Sequence, residues 1–221
     1  MTNTSLHKLT GAALIGSFVL SLAGGVAHPI VDGQSHSVAA LTAPASPWAQ
    51  LLIYAGALLL MVGLPGMFVW LRPHVGRVGM IGIALYFLGN ALSAQSHLVV
   101  EAFVAPAIAA DPAARHLIAS DGTIVDSPAF LALMLGGALV FQLGLVLTGI
   151  GLFRSGVVSR WVGVLVTGGA LLTLVPLPEI PVVSGLIIEL PRGLAVAIVG
   201  YLMIRAAGAV RTPATRELVT A

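Results

Sequence analysis

Cysteine is missing from this chain, and charge is scarce. With no cysteine among 221 residues, disulfides, thiol redox chemistry and thiolate metal sites are excluded outright. Asp, Glu, Lys and Arg make up 8% of the chain, whereas a soluble domain carries about 25%, so a soluble globular fold is excluded too. The net charge is +2, spread over scattered basic residues, and offers no patch for nucleic acid. There is no His-Glu-x-x-His, no Gly-x-Ser-x-Gly and no Gly-x-x-x-x-Gly-Lys-Ser/Thr, which removes the zincin, serine-hydrolase and P-loop readings. No aspartate lies inside an apolar segment, so an intramembrane aspartyl dyad is absent.

What is present is apolar. Apolar residues are 58% of the chain and the mean hydropathy is +1.04, values of a polytopic membrane protein. A helix needs about 20 residues to cross a bilayer. Six segments reach or approach that length, near 8–27, 48–71, 78–100, 128–153, 161–178 and 183–206. The expected fold is therefore all-α, a single membrane helix bundle with outer loops at 28–47 and 101–127 and a disordered tail at 207–221. Ser46-Pro47-Trp48 and Asp126-Ser127-Pro128 predict capped starts for the second and fourth spans, a polar cap followed by proline in the first turn. Trp48, Trp70 and Trp161 fall at predicted membrane interfaces. In the second outer loop, Asp111 to Gly122 reads as one short helix, capped by the aspartate and stopped by the glycine.

Lys8, Arg72, Arg77, Arg154, Arg160, Arg205, Arg211 and Arg216 fall on one side of these six spans. The positive-inside rule then predicts a plasma-membrane protein with both termini in the cytoplasm. The first segment has a second reading: Lys8, an apolar run and Gly25-Val26-Ala27 have the form of a cleavable signal peptide. A weak internal repeat pairs Gly56-Ala57-Leu58, Leu71-Arg72 and Arg77-Val78-Gly79 with Gly137-Ala138-Leu139, Phe153-Arg154 and Arg160-Trp161-Val162-Gly163. It would relate two hairpins in parallel.

The third span carries the unusual chemistry. On a helical wheel Tyr86, Asn90, Ser93, His97 and Glu101 share one face. Such a stripe must face protein or water rather than lipid, so the other helices are expected to pack around this one. Depth estimates from the cytoplasmic arginines place Asn90, Gln142 and Arg192 at one level, roughly 18–20 Å in. If they meet, the Arg192 guanidinium can donate to both amide oxygens while Glu189 balances its charge.

His97 and Glu101 stand four apart, as two metal ligands or a base and its orienter do. His28, His36 and His116 lie on the same side and are candidates to complete a zinc or copper site. The simpler reading is a hydrogen-bonded pair at a helix end with the loop histidines in solvent. On that reading no metal and no cofactor are expected.

The turn Arg154-Ser-Gly-x-x-x-Arg160-Trp-x-Gly163, followed by Gly168-Gly169-Ala170-Leu171-Leu172, resembles an uncharacterised bacterial family of six-helix multi-pass membrane proteins. The resemblance covers the second half of the chain. It implies six helices in a plasma membrane and carries no assigned activity or catalytic residue.

The function expected from these residues is that of a non-enzymatic component binding a small amphiphile or a membrane partner protein in the outer half of the bundle. Asn90, Ser93, His97, Glu101, Gln142, Glu189 and Arg192 are the candidate lining. Two alternatives stay open: a small-solute transporter, and a membrane enzyme or metal site using His97 and Glu101. The expected partners are the lipid bilayer and a small amphiphile or a membrane partner protein, and nucleic acid is not among them.

Overall fold

A computed structural model of the protein describes residues 3–119 and 123–209. The described residues are helical and contain no strand beyond two isolated bridges. The long elements are α1 (Asn3–Ala27), α3 (Trp48–Leu71), α4 (Gly76–Ser93), α6 (Pro128–Ser155), α7 (Arg160–Leu172) and α8 (Val183–Ala209). Two short helices, α2 (Val38–Leu41) and α5 (Ala105–Ala110), lie in the segments that join them.

Five helical stretches are long and apolar enough to cross a membrane. The fifth segment expected from the sequence, 161–178, is shorter than a span. It is helical only as α7, thirteen residues or roughly 20 Å, against a hydrocarbon core of about 30 Å. The stretch holding Pro176, Pro178 and Pro181 follows α7 as turns and irregular chain, because each proline lacks the N–H that continuation needs.

The third segment departs from expectation the other way. It does not end near residue 100 but runs on through two π-helical turns, Ala94–Leu98 and Val100–Val104, into α5. Its continuous length is 35 residues, Gly76–Ala110. The stretch after it also differs from the single helix expected there. Asp111 accepts a bond from Ala113 N at 2.9 Å, and the chain continues as a turn and a single 3₁₀ turn, Arg115–Leu117. Gly122 and the tail beyond 209 lie outside the described residues.

Of the two expected caps, one forms. Ser127 Oγ accepts from Phe130 N at 3.4 Å with Pro128 opening α6. Ser46 does not cap α3: no side-chain bond caps that helix, and Ser46 Oγ is buried without a partner among the described residues. Trp48 and Trp161 are exposed at helix starts, and Trp70 lies half-buried against the core.

The third span is not central. Neighbours run in a closed order, α1–α3–α4–α6–α7–α8 and back to α1, with α3 also meeting α8. Small residues set the closest approaches, as apolar helices without a hydrophobic drive to associate require. A Cβ on Gly89 of α4 would stand 2.3 Å from the Phe141 backbone of α6, and one on Gly185 of α8 would stand 2.1 Å from Gly25 O of α1.

The interior of this ring differs between its two ends. At the end bearing Arg72 and Arg154, buried Leu64, Met67, Leu71, Ile83, Leu152 and Met203 fill it. At the other end it is hollow. That hollow is roofed by the segment 28–47, which packs through Leu41 onto Ala105, Ala109, Ile118 and Ile124.

Candidate functional site

The hollow end of the ring is a cavity of about 630 Å³. Its walls are mainly apolar, among them Phe18, Ile53, Leu60 and Leu135, with polar groups gathered at two levels. The whole polar stripe of the third span faces it: Tyr86, Asn90, Ser93, His97 and Glu101 all line the space. Gln142, Glu189 and Arg192 line it as well. The seven residues singled out from the sequence thus surround one cavity.

At the inner level the side chains pair differently from expectation. Asn90 Nδ2 donates to Ala57 O at 2.9 Å, holding α4 to α3. Gln142 Nε2 donates to Thr173 Oγ1, holding α6 to the end of α7. Arg192 does not bond either amide. Its guanidinium donates to both carboxylate oxygens of Glu189, Nε at 3.3 Å from Oε2 and Nη2 to Oε1, and lies 5.3 Å from the centre of the Phe141 ring. The reason is local. One helical turn separates the two charges on α8, and at 5% exposure Glu189 needs a counter-charge more than a neutral amide does. Gln142 Oε1 is left buried with no partner among the described residues.

At the outer level three imidazoles converge on one carboxylate. Glu101 is 1% exposed. His28 Nε2 lies 2.5 Å and His36 Nε2 3.2 Å from Oε1, while His97 Nε2 lies 3.4 Å from Oε2. No lysine or arginine among the described residues pairs with this carboxylate. The ring of His36 stands edge-on to both neighbours, with centroids 6.1 Å from His28 and 5.5 Å from His97.

Each imidazole is also held from behind. His28 Nδ1 is 3.2 Å from Pro29 O, His36 Nδ1 3.3 Å from Ser35 Oγ, and His97 Nδ1 3.4 Å from the Met134 sulfur. A carbonyl oxygen can only accept, so His28 Nδ1 carries a proton.

Local chain geometry explains this convergence. His28 follows the last residue of α1, and the chain reverses at Val31-Asp32-Gly33-Gln34. There Val31 and Gln34 exchange backbone bonds of 3.1 and 3.0 Å. Asp32 and Gly33 both take positive φ, 52° and 73°, the conformation of a tight I′ turn. The reversal returns His36 beside His28, and Ser37 then caps α2, accepting from Ala40 N at 3.2 Å. Glu101 and His97 sit on the two π turns, a wider winding that recurs at functional sites.

So two of the three loop histidines, His28 and His36, are not solvent groups, as the simpler reading had them. His116 is: it is exposed, bonded to Ala113 O at 2.9 Å, and takes no part in the cluster. The signal that could have joined His28 to His36 is Asp32-Gly33, a strong local mark of a tight reversal. Met134 carried no signal in the sequence. The donor atoms of His28, His36 and Glu101 lie within 4.8 Å of one another, a set able to hold a metal ion.

No family model, no curated protein and no solved structure matches this chain.

Proposed function

We propose that the protein is an integral plasma-membrane component, both termini cytoplasmic, with α7 and the irregular chain after it together making the fifth of six crossings, and that it binds a small neutral amphiphile in the outer half of its helix ring without transforming it. The observation that carries this reading is the cavity itself. At about 630 Å³ it falls in the range of small-molecule sites, which are mostly apolar with a few fixed polar groups. The inner polar level favours a neutral head group. Arg192 and Glu189 already cancel each other, so an added net charge would stay uncompensated in an apolar surround. Exposed apolar side chains such as Leu133, Leu139 and Leu143 on α6 suit contact with lipid.

The test uses the whole protein in lipid nanodiscs with a medium-chain monoacylglycerol as probe and the matching fatty-acid anion as comparison. The monoacylglycerol should raise the unfolding temperature and bind saturably, and the anion should do so at least tenfold more weakly. Ala138→Trp, which fills the cavity from α6, should abolish both effects while leaving the helical content unchanged. Equal binding by the unaltered protein and Ala138→Trp would place the probe in the surrounding lipid and remove the reading.

A further inference from the structure

We propose that His28, His36 and Glu101 bind one divalent transition-metal ion of the borderline class, zinc or copper(II), with His97 next to the ion as its fourth neighbour. This goes beyond amphiphile binding and does not depend on it, since the cluster stands at the outer level and the amide and ion-pair groups at the inner one.

The first ground is charge. Glu101 is a buried carboxylate whose ion-pair partners among the described residues are all imidazoles, and a buried charge needs a compensating one. The protonated Nδ1 of His28 leaves its Nε2 aimed at Oε1 over 2.5 Å. Were Nε2 bare, two lone pairs would face each other at that distance, so a cation belongs on or near the line between them. The second nitrogen, His36 Nε2, stands 3.2 Å from the same oxygen. One divalent ion satisfies both nitrogens and the carboxylate together.

The second ground is geometry. Zinc holds nitrogen and oxygen ligands at about 2.0–2.1 Å, and a tetrahedron of that size has edges of about 3.3 Å. The 3.2 Å separation already matches such an edge, while the 2.5 Å one must open by less than about 1 Å. The donor set selects the class of ion. Two or three imidazoles with one carboxylate suit zinc and copper(II), whereas calcium and magnesium require six or more oxygens, which this site does not gather.

The third ground is the outer layer of support. Ligating histidines characteristically donate their other ring N–H to a fixed acceptor, which sets tautomer and orientation. Pro29 O does this for His28, and Ser35 Oγ stands at the corresponding atom of His36. Three protein ligands leave one position toward the cavity, which His97 Nε2, on the other carboxylate oxygen, or a water is placed to take.

The experiment is metal titration of the full-length protein, purified in detergent, stripped with chelator, and given Zn²⁺ or Cu²⁺ separately. Elemental analysis should return one ion per chain, and the unfolding temperature should rise with that ion. His28→Ala combined with His36→Ala, and separately Glu101→Gln, should weaken binding roughly 100-fold or more. His116→Ala, outside the cluster, should bind as the parent does. Because a ligand variant could fail to fold, Co²⁺ is also bound to the unaltered protein, where it should show the intense visible bands of a four-coordinate ion. Weak six-coordinate bands, no retained ion, or equal binding by the double variant would each overturn the site.

Discussion

Nε2 of His28 lies 2.5 Å from Oε1 of Glu101, although 73 residues separate them in the chain. The contact ties the end of the first long helix to the π-wound end of the third. It differs in kind from the Glu189–Arg192 pair deeper in the cavity, because an imidazole can shed its charge and a guanidinium cannot. That difference orders the stability effects of the two sites.

Arg192→Ala strands Glu189, 5% exposed, and should lower stability by about 3–5 kcal/mol, the range for breaking a buried pair from one side. Asn90→Ala removes one interhelical bond to Ala57 O and should cost about 0.6–2 kcal/mol. Glu189→Gln added to Arg192→Ala should recover part of the loss. Thermal unfolding in one detergent ranks the three variants, and Asn90→Ala outranking Arg192→Ala would contradict the assignment of charge at the inner level.

Glu101→Gln in metal-free protein should cost less than Arg192→Ala, about 1.5–3 kcal/mol for hydrogen bonds to a charged group. The three imidazoles left behind can stay neutral, so nothing is stranded. A loss equal to that of Arg192→Ala would mean that at least one of these histidines holds its proton without the carboxylate.

The ring depends on close backbone approach at glycines, and one on α4 with one on α6 gives a clean contrast. A Cβ at Gly89 would meet the Phe141 backbone at 2.3 Å, while one at Gly136 would meet nothing within 4 Å. Gly89→Ala should destabilise by about 1–3 kcal/mol through overpacking. Gly136→Ala should be neutral or slightly stabilising in the same thermal unfolding measurement, since helical alanine is favoured over glycine by up to about 1 kcal/mol.

The absence of cysteine makes topology directly measurable, since every introduced thiol is the only one. Gln34 and His74 are exposed at opposite ends of the ring. A membrane-impermeant maleimide should label Gln34→Cys in intact cells and His74→Cys only after permeabilisation. The reverse pattern would invert the orientation drawn from the arginines.

The sequence disclosed some of this and concealed the rest for identifiable reasons. The spans at 48–71 and 128–153 coincide with α3 and α6 to within two residues, because apolar length and a proline start are local signals. The polar stripe from Tyr86 to Glu101 was legible, since a 3.6-residue wheel is nearly right for α4 and the cavity takes the whole face. The slip into π turns was not legible, because winding of that kind depends on what the helix packs against. Nor was the ring order: the stripe faces a cavity shared by several helices rather than a sheath of helices around itself. The partner of Arg192 differs from expectation for an energetic reason, with a carboxylate one turn away outcompeting two neutral amide oxygens.

The reversal at Asp32-Gly33 can be separated experimentally from the ligands it positions. Gly33 has φ 73°, and a Cβ there would meet nothing within 4 Å. A substitution therefore acts through backbone conformation alone, not through crowding. A β-branched side chain is strongly disfavoured at positive φ, at about 1–2 kcal/mol for the left-handed region. Gly33→Val should loosen the exchange of backbone bonds between Val31 and Gln34 and let His36 drift from Glu101. Zinc affinity should fall at least tenfold although no ligand has changed, whereas Gly33→Asn, which tolerates the left-handed region, should keep most of it. Equal affinity in the Val and Asn variants would mean that the turn does not hold His36 in place, and that its position comes instead from the packing of α2 on α5.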